Sequence, residues 1–169
     1  ASAGDDSLRA ALWAGGIGVI AVLTFLIAYY RLIAAVVVAG LVIWGGLVYS
    51  LAAFVSQATN YALSLAGVTG IIVAIGVTVD SYVVLFERLK DEVRSGRTPR
   101  NAAPRSFAAT WRTIVAADLV SVMAAAILFW LSVGSVKGFA LYLGLTTLCD
   151  LVVCWFFTRP ASILMASRR

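Results

Sequence analysis

The sequence predicts an all-α membrane protein: a five-helix transmembrane bundle with a short interfacial helix in a cytoplasmic loop. Three observations carry this expectation. Of 169 residues, 62% are hydrophobic and 12% charged, whereas a soluble domain averages about 45–50% and about 25%. Five apolar runs reach the roughly 20 residues a helix needs to cross a bilayer. The cations are segregated between the connections that link those runs.

The runs lie near 8–30, 32–55, 63–86, 112–131 and 136–158, and together 1–169 reads as a single transmembrane domain. A tight turn at "YYRL" joins the first two. The short polar "SQATN" separates the second and third, and "SVGSVKG" joins the last two. The one long connection is 87–111. Gly96 and Pro99 break it into two polar helical pieces. Charges of both signs in the first piece (Arg88, Lys90, Asp91, Glu92, Arg94) suit a helix lying at the interface.

Orientation follows from Lys and Arg in the connections. One side holds Arg31, Arg88, Lys90, Arg94, Arg97, Arg100, Arg105, Arg112, Arg159, Arg168 and Arg169, and the other only Arg9 and Lys137. The basic loop and the C-terminus are therefore expected in the cytoplasm, and the N-terminus outside. Trp13, Tyr29, Tyr30, Tyr49, Tyr61, Trp111 and Trp130 fall near run ends, where interfacial aromatics belong. The opening "ASAGDDSLRA" lacks the order of a signal peptide. An odd number of crossings with an outer N-terminus leads us to expect an upstream signal or helix in a longer protein.

Several function classes drop out. With no histidine, a His-based metal site or proton relay is absent from the sequence. Cys149 and Cys154 lie five apart on different helix faces and read as packing residues. There is no glycine-rich phosphate loop, no nucleophile with its base and no metal-ligand cluster. The sequence predicts neither an enzyme nor a cofactor or metal site, and no nucleic-acid partner.

What remains is a polar layer. Asp80, Asp118 and Asp150 fall inside predicted spans, at depths of about 10, 9 and 13 Å from the cytoplasmic ends at about 1.5 Å per residue. Thr78 and Ser81 flank Asp80, Ser121 follows Asp118, and Thr146 and Thr147 precede Asp150. Glu87 lies two turns beyond Asp80 on the same face, opening a polar track toward the cytoplasm. Acids at membrane depth either hydrogen-bond helices together or line a proton or cation path, facing the bundle interior or a wet cavity. Three acids at matched depth favour the second reading, with Asp80 the leading candidate. Asp80 and Asp118 are expected to face the bundle interior or a partner seam, and Asp150 a partner. The glycines of the first three spans read as packing positions, and Gly134, Gly138 and Gly144 as the last hairpin and its contact.

"GVTVDSYVVLFERLKDE", the basic loop, "WRTIVAADLVSVMAAAILFWLSVGSVKGFALYLGL" and "FFTRP" resemble the SecD family of the bacterial Sec export machinery, in its actinobacterial-like form. The resemblance spans about Asp6 to Arg159. Of the family's V-D-A-N, Val79 and Asp80 match, with Ser81 and Tyr82 in the last two places. Phe86, Glu87 and Arg88 match F-E-R, and Gly134, Val136, Gly138, Phe139 and Ala140 match G-x-V-x-G-F-A. In T-I-x-D-A-N, Thr113 and Ile114 match, Ala116 stands in the place of the Asp and Asp118 in that of the Asn. The carboxylate is thereby moved about 200° around the helix. The F-E-R and G-F-A pieces favour SecD over the related SecF.

The resemblance implies a fold of the SecD and resistance-nodulation-division (RND) type, running from the second to the sixth helix of the family. It implies a non-enzymatic subunit of the bacterial plasma membrane that couples the proton-motive force to protein export. Its partners would be SecF, the SecYEG translocon, exported preproteins and membrane lipids. Asp80 would carry the proton with Asp118, and Ser81, Glu87, Arg88, Ser121 and Asp150 would support it. Two alternatives stand beside this reading: part of an RND-superfamily lipid or drug exporter, and a structural scaffold whose acids only join helices. The charge partition itself is testable. Cysteines placed at Ser95 and at Gln57 are expected to react with an impermeant reagent from opposite sides of the membrane; labelling of both from one side refutes the topology.

Overall fold

A computed structural model of the chain describes residues 2–59 and 64–168. Tyr61, Arg169 and the start of the third expected run at Leu63 lie outside the described residues. The described residues contain no strand. The helices are α1 (Ser2–Tyr30), α2 (Ala34–Ala58), α3 (Leu65–Arg94), α4 (Pro99–Leu131), α5 (Ser135–Val153) and α6 (Arg159–Ser167).

Four stretches are long and apolar enough to cross a membrane: Ala3–Ala58, Leu65–Arg94, Pro99–Leu131 and Ser135–Ser167. The first holds α1 and α2, which the sequence separates into two runs. Between them is a single 3-10 turn, Arg31–Ile33, with Arg31 in the left-handed region at φ 54°. At the far end, α5 passes into α6 through a π-helical turn, Cys154–Thr158. Pro160 is the cause. Without an N–H it has nothing to offer the ladder, so the Arg159 N–H bonds Cys154 O, five residues back.

The expected loop at 87–111, with its interfacial helix, is corrected. Residues 87–94 continue α3 without interruption, and α4 starts at Pro99, so only the four residues 95–98 leave helix. The break at Gly96 is where the sequence places it, at φ 95°. The polar pieces stay helical because each has something to pack on. Leu89 is buried, and Ala102, Ala103 and Phe107 form a covered stripe on α4 that meets α6. Arg97 and Arg105 both engage Glu92 across the turn.

α3, α4 and α5 form the centre. Gly70 packs directly on the α5 backbone: a Cβ there would sit 2.7 Å from Phe139 O and 3.2 Å from Leu143 N. Further along, Ser81 reaches Asp150, so the two helices run parallel in constant register. α4 returns antiparallel, with Ala125 against Gly144. α2 covers α5 through Trp44, whose indole N–H donates to Thr146 O at 3.1 Å. Gly76, by contrast, has open space around it.

This contrast sets a test. Gly70→Val should cost about 1–3 kcal/mol, because the parallel helices must separate. Gly76→Val should change stability by less than about 0.5 kcal/mol. Thermal unfolding in detergent measures both, and equal effects would refute the packing described.

Candidate functional site

The polar layer is built where α3, α4 and α5 meet. Asp118 of α4 is fully buried, and Asp150 of α5 is 3% exposed. The two carboxyl groups interact electrostatically, although no well-formed hydrogen bond joins them. The Ser81 hydroxyl lies 3.4 Å from Asp150 Oδ2 and 3.2 Å from Val77 O. Thr78, buried one turn earlier on α3, has a hydroxyl with no hydrogen-bond partner among the described residues. Both Asp118 oxygens lack a hydrogen-bond partner among the described residues. Two buried acids with so few donors are poor mutual glue when both are ionised, since like charges repel and each unpaired oxygen carries a desolvation cost.

Asp80 is not part of this group. Its side chain is exposed on the outer face of α3, in a stripe with Thr69, Val73, Gly76, Val84 and Arg88. Two acids, not three, therefore converge inside the bundle. Ala116, which occupies the motif's acid position on α4, is also exposed, while Asp118 faces inward. The 200° displacement read from the motif thus separates an outward face from an inward one.

The remaining sequence-predicted residues divide in the same way. The Ser121 hydroxyl donates to Ala117 O on its own helix. Thr146 and Thr147 likewise bond back to Tyr142 and Leu143. Glu87 accepts from the Tyr30 hydroxyl at 2.9 Å and pairs with Lys90 at 3.7 Å. It is therefore tied to the end of α1 rather than to Asp80. Tyr30, expected at the interface, is 7% exposed for the same reason. Arg88 points outward.

Sequence reasoning missed Tyr82. Its ring is buried against Phe86 at a centroid distance of 6.2 Å, and its hydroxyl accepts from Thr158 Oγ1 at 3.2 Å. It occupies the space left by Gly40: a Cβ there would fall 1.9 Å from the Tyr82 hydroxyl. A tyrosine in mid-span, with a threonine in "FFTRP", is the signal that points to this contact.

Four membrane-length apolar stretches among the described residues and a buried pair of acids define a helical membrane domain. The chain belongs to the MMPL family, whose profile matches residues 2–169. It is 47% identical over 169 residues to the protein translocase subunit SecD of Streptomyces coelicolor, covering all of this chain and 30% of that protein. It is 45% identical over 168 residues to SecD of Mycobacterium tuberculosis, covering 99% of this chain and 29% of that protein. The crystal structure of SecDF from Thermus thermophilus, a translocon-associated membrane protein, superposes with a TM-score of 0.89 at 29% identity. A super-membrane-facing form of SecDF gives 0.86. Both superpositions cover 98% of this chain and 22% of the solved one. The chain thus spans less than a third of the length of these two SecD proteins.

The buried pair yields a prediction that separates strain from glue. Asp118→Asn should leave the unfolding midpoint unchanged or raise it, because it removes one of two facing carboxyls. A fall equivalent to about 1–3 kcal/mol, the cost of a lost structural hydrogen bond between buried groups, would mark Asp118 as a helix fastener instead.

Proposed function

We propose that the chain is the transmembrane part of a SecD-type subunit of the bacterial protein translocase, coupling the proton-motive force to export. The observation that carries this reading is the identity with SecD from end to end of the chain, at 47% over 169 residues. The proposed arrangement is one transmembrane domain of five crossings in the plasma membrane, with α1 and α2 crossing separately. The N-terminus is extracytoplasmic and the C-terminus cytoplasmic. The gathering of Ile33, Arg94, Pro99 and Arg168 around one cavity supports this, because alternate helix ends then share one side. The start of α3 near Gly138, at the opposite end, supports it too.

In this reading the acids have two roles. Asp80 takes up and releases protons on the outward face of α3. A carboxylate exposed to lipid is costly, so the stripe around Asp80 is covered by a partner, and SecF is the partner proposed. Asp118 and Asp150 form the inner station, with Ser81 between the two faces. A proton gained or lost at either station changes which helix arrangement is favoured. The membrane potential contributes about 2.3 kcal/mol per 100 mV for a full charge moved across the bilayer. SecYEG and exported preproteins complete the proposed set of partners.

Asp80→Asn is near-isosteric and keeps packing while removing the titratable group. In proteoliposomes containing the full-length protein, it should abolish gradient-dependent stimulation of translocation. Membrane insertion and SecF association should persist. Glu87→Gln should be milder, since Glu87 already reaches water. Gradient-dependent stimulation surviving in Asp80→Asn would remove Asp80 from the coupling path.

A further inference from the structure

A cavity of about 530 Å³ opens at the end of the bundle where α3 gives way to α4. Val36 of α2, Phe86 and Leu89 of α3 and Met165 of α6 form apolar walls, and Lys90, Arg94 and Arg168 complete the lining. The cations differ in their commitments. Lys90 is paired with Glu87 and lies 3.9 Å from the Tyr29 ring centroid. Arg94 and Arg168 are exposed, and neither forms an ion pair among the described residues. The nearby Glu92 is taken by Arg97 and Arg105, and Asp91 is exposed one residue after Lys90. Ser162, also in the lining, is 6% exposed, and its hydroxyl has no hydrogen-bond partner among the described residues.

We infer that this cavity binds an anionic phospholipid, one acyl chain lying between α2, α3 and α6 and the phosphate meeting Arg94 and Arg168. An apolar floor under unpaired cations matches an amphiphile of that charge. Water gains little from such walls, and a zwitterionic lipid brings no net charge to two unpaired guanidinium groups. The level also fits. The cavity touches the first turn of α2, the last turn of α3 and the first residue of α4, where the apolar stretches meet water and headgroups lie. Ser162 offers a hydroxyl that a glycerol or phosphate oxygen would satisfy. The inference needs only that these stretches cross a membrane, not that the protein acts in export, so loss of coupling and loss of lipid binding can be told apart.

Photo-methionine incorporated into the full-length protein tests this, because Met165 lines the cavity while Met123 is 55% exposed on α4 and reports bulk lipid. In vesicles with tracer phosphatidylglycerol or phosphatidylcholine of the same chains, Met165 should crosslink phosphatidylglycerol with a preference of roughly tenfold to thirtyfold. Met123 should show no preference. Arg94→Ala with Arg168→Ala should reduce Met165 to the Met123 ratio, and the corresponding pair of Lys substitutions should keep the preference. Excess inorganic phosphate should not compete. Equal labelling by both lipids at Met165, a preference that survives the double Ala variant, loss of labelling to inorganic phosphate, or crosslinking of Met165 to polypeptide would each overturn the site.

Discussion

The parallel contact of α3 on α5 sets the geometry of everything else. With no side chain at Gly70, the two backbones touch near one end of the pair. Helices that start this close, and run the same way, keep register for several turns. Eleven residues on from Gly70 and from Phe139, the same register brings Ser81 to Asp150. α4 then fits along both, and its inward face at that level is Asp118. In hydrocarbon no water is available to correct a mismatch of polar groups. The depth of the polar layer is therefore a consequence of close packing about three turns away.

The layer has two faces with different physics. Inside, Asp118 and Asp150 share a buried site with Thr78 and Ser81, and Tyr82 closes it toward Thr158. Outside, Asp80 lies on a stripe of α3 that the described residues leave exposed. Ser81 is adjacent in sequence to Asp80 and reaches the inner pair, so α3 alone connects the faces. A small rotation of α3 would change the surroundings of both at once, which is the property a coupled device requires. The π turn after α5 lies beside the same site, through Thr158 at the Tyr82 hydroxyl.

The basic end is organised separately. Arg159 lies over the Trp155 ring at 4.5 Å, and Trp155 packs on Trp111 at 4.8 Å. Glu92 gathers Arg97 and Arg105 at the turn, and Glu87 holds Lys90 and Tyr30. Exposed ion pairs of this kind contribute little stability. Their effect is to hold the ends of α3 and α4 together and to leave Arg94 and Arg168 uncommitted.

The sequence by itself determined the all-helical class, the apolar stretches, the break at Gly96 and the presence of acids at membrane depth. These follow from composition and local chain chemistry, which act within a few residues. It also carried the opposite facing of Ala116 and Asp118, since two residues on a helix always diverge by about 200°. It did not determine that 87–94 and 99–111 stay in long helices, because their stability comes from burying Leu89, Ala102 and Phe107 against distant elements. Nor did it determine which acids meet. Matched depth is a one-dimensional property, whereas convergence depends on helix rotation, and rotation was decided by Gly70 on α5 and Gly40 beneath Tyr82. The sequence put Asp80 ahead of Asp150 as the inward acid; the packing turned Asp80 outward and Asp150 in.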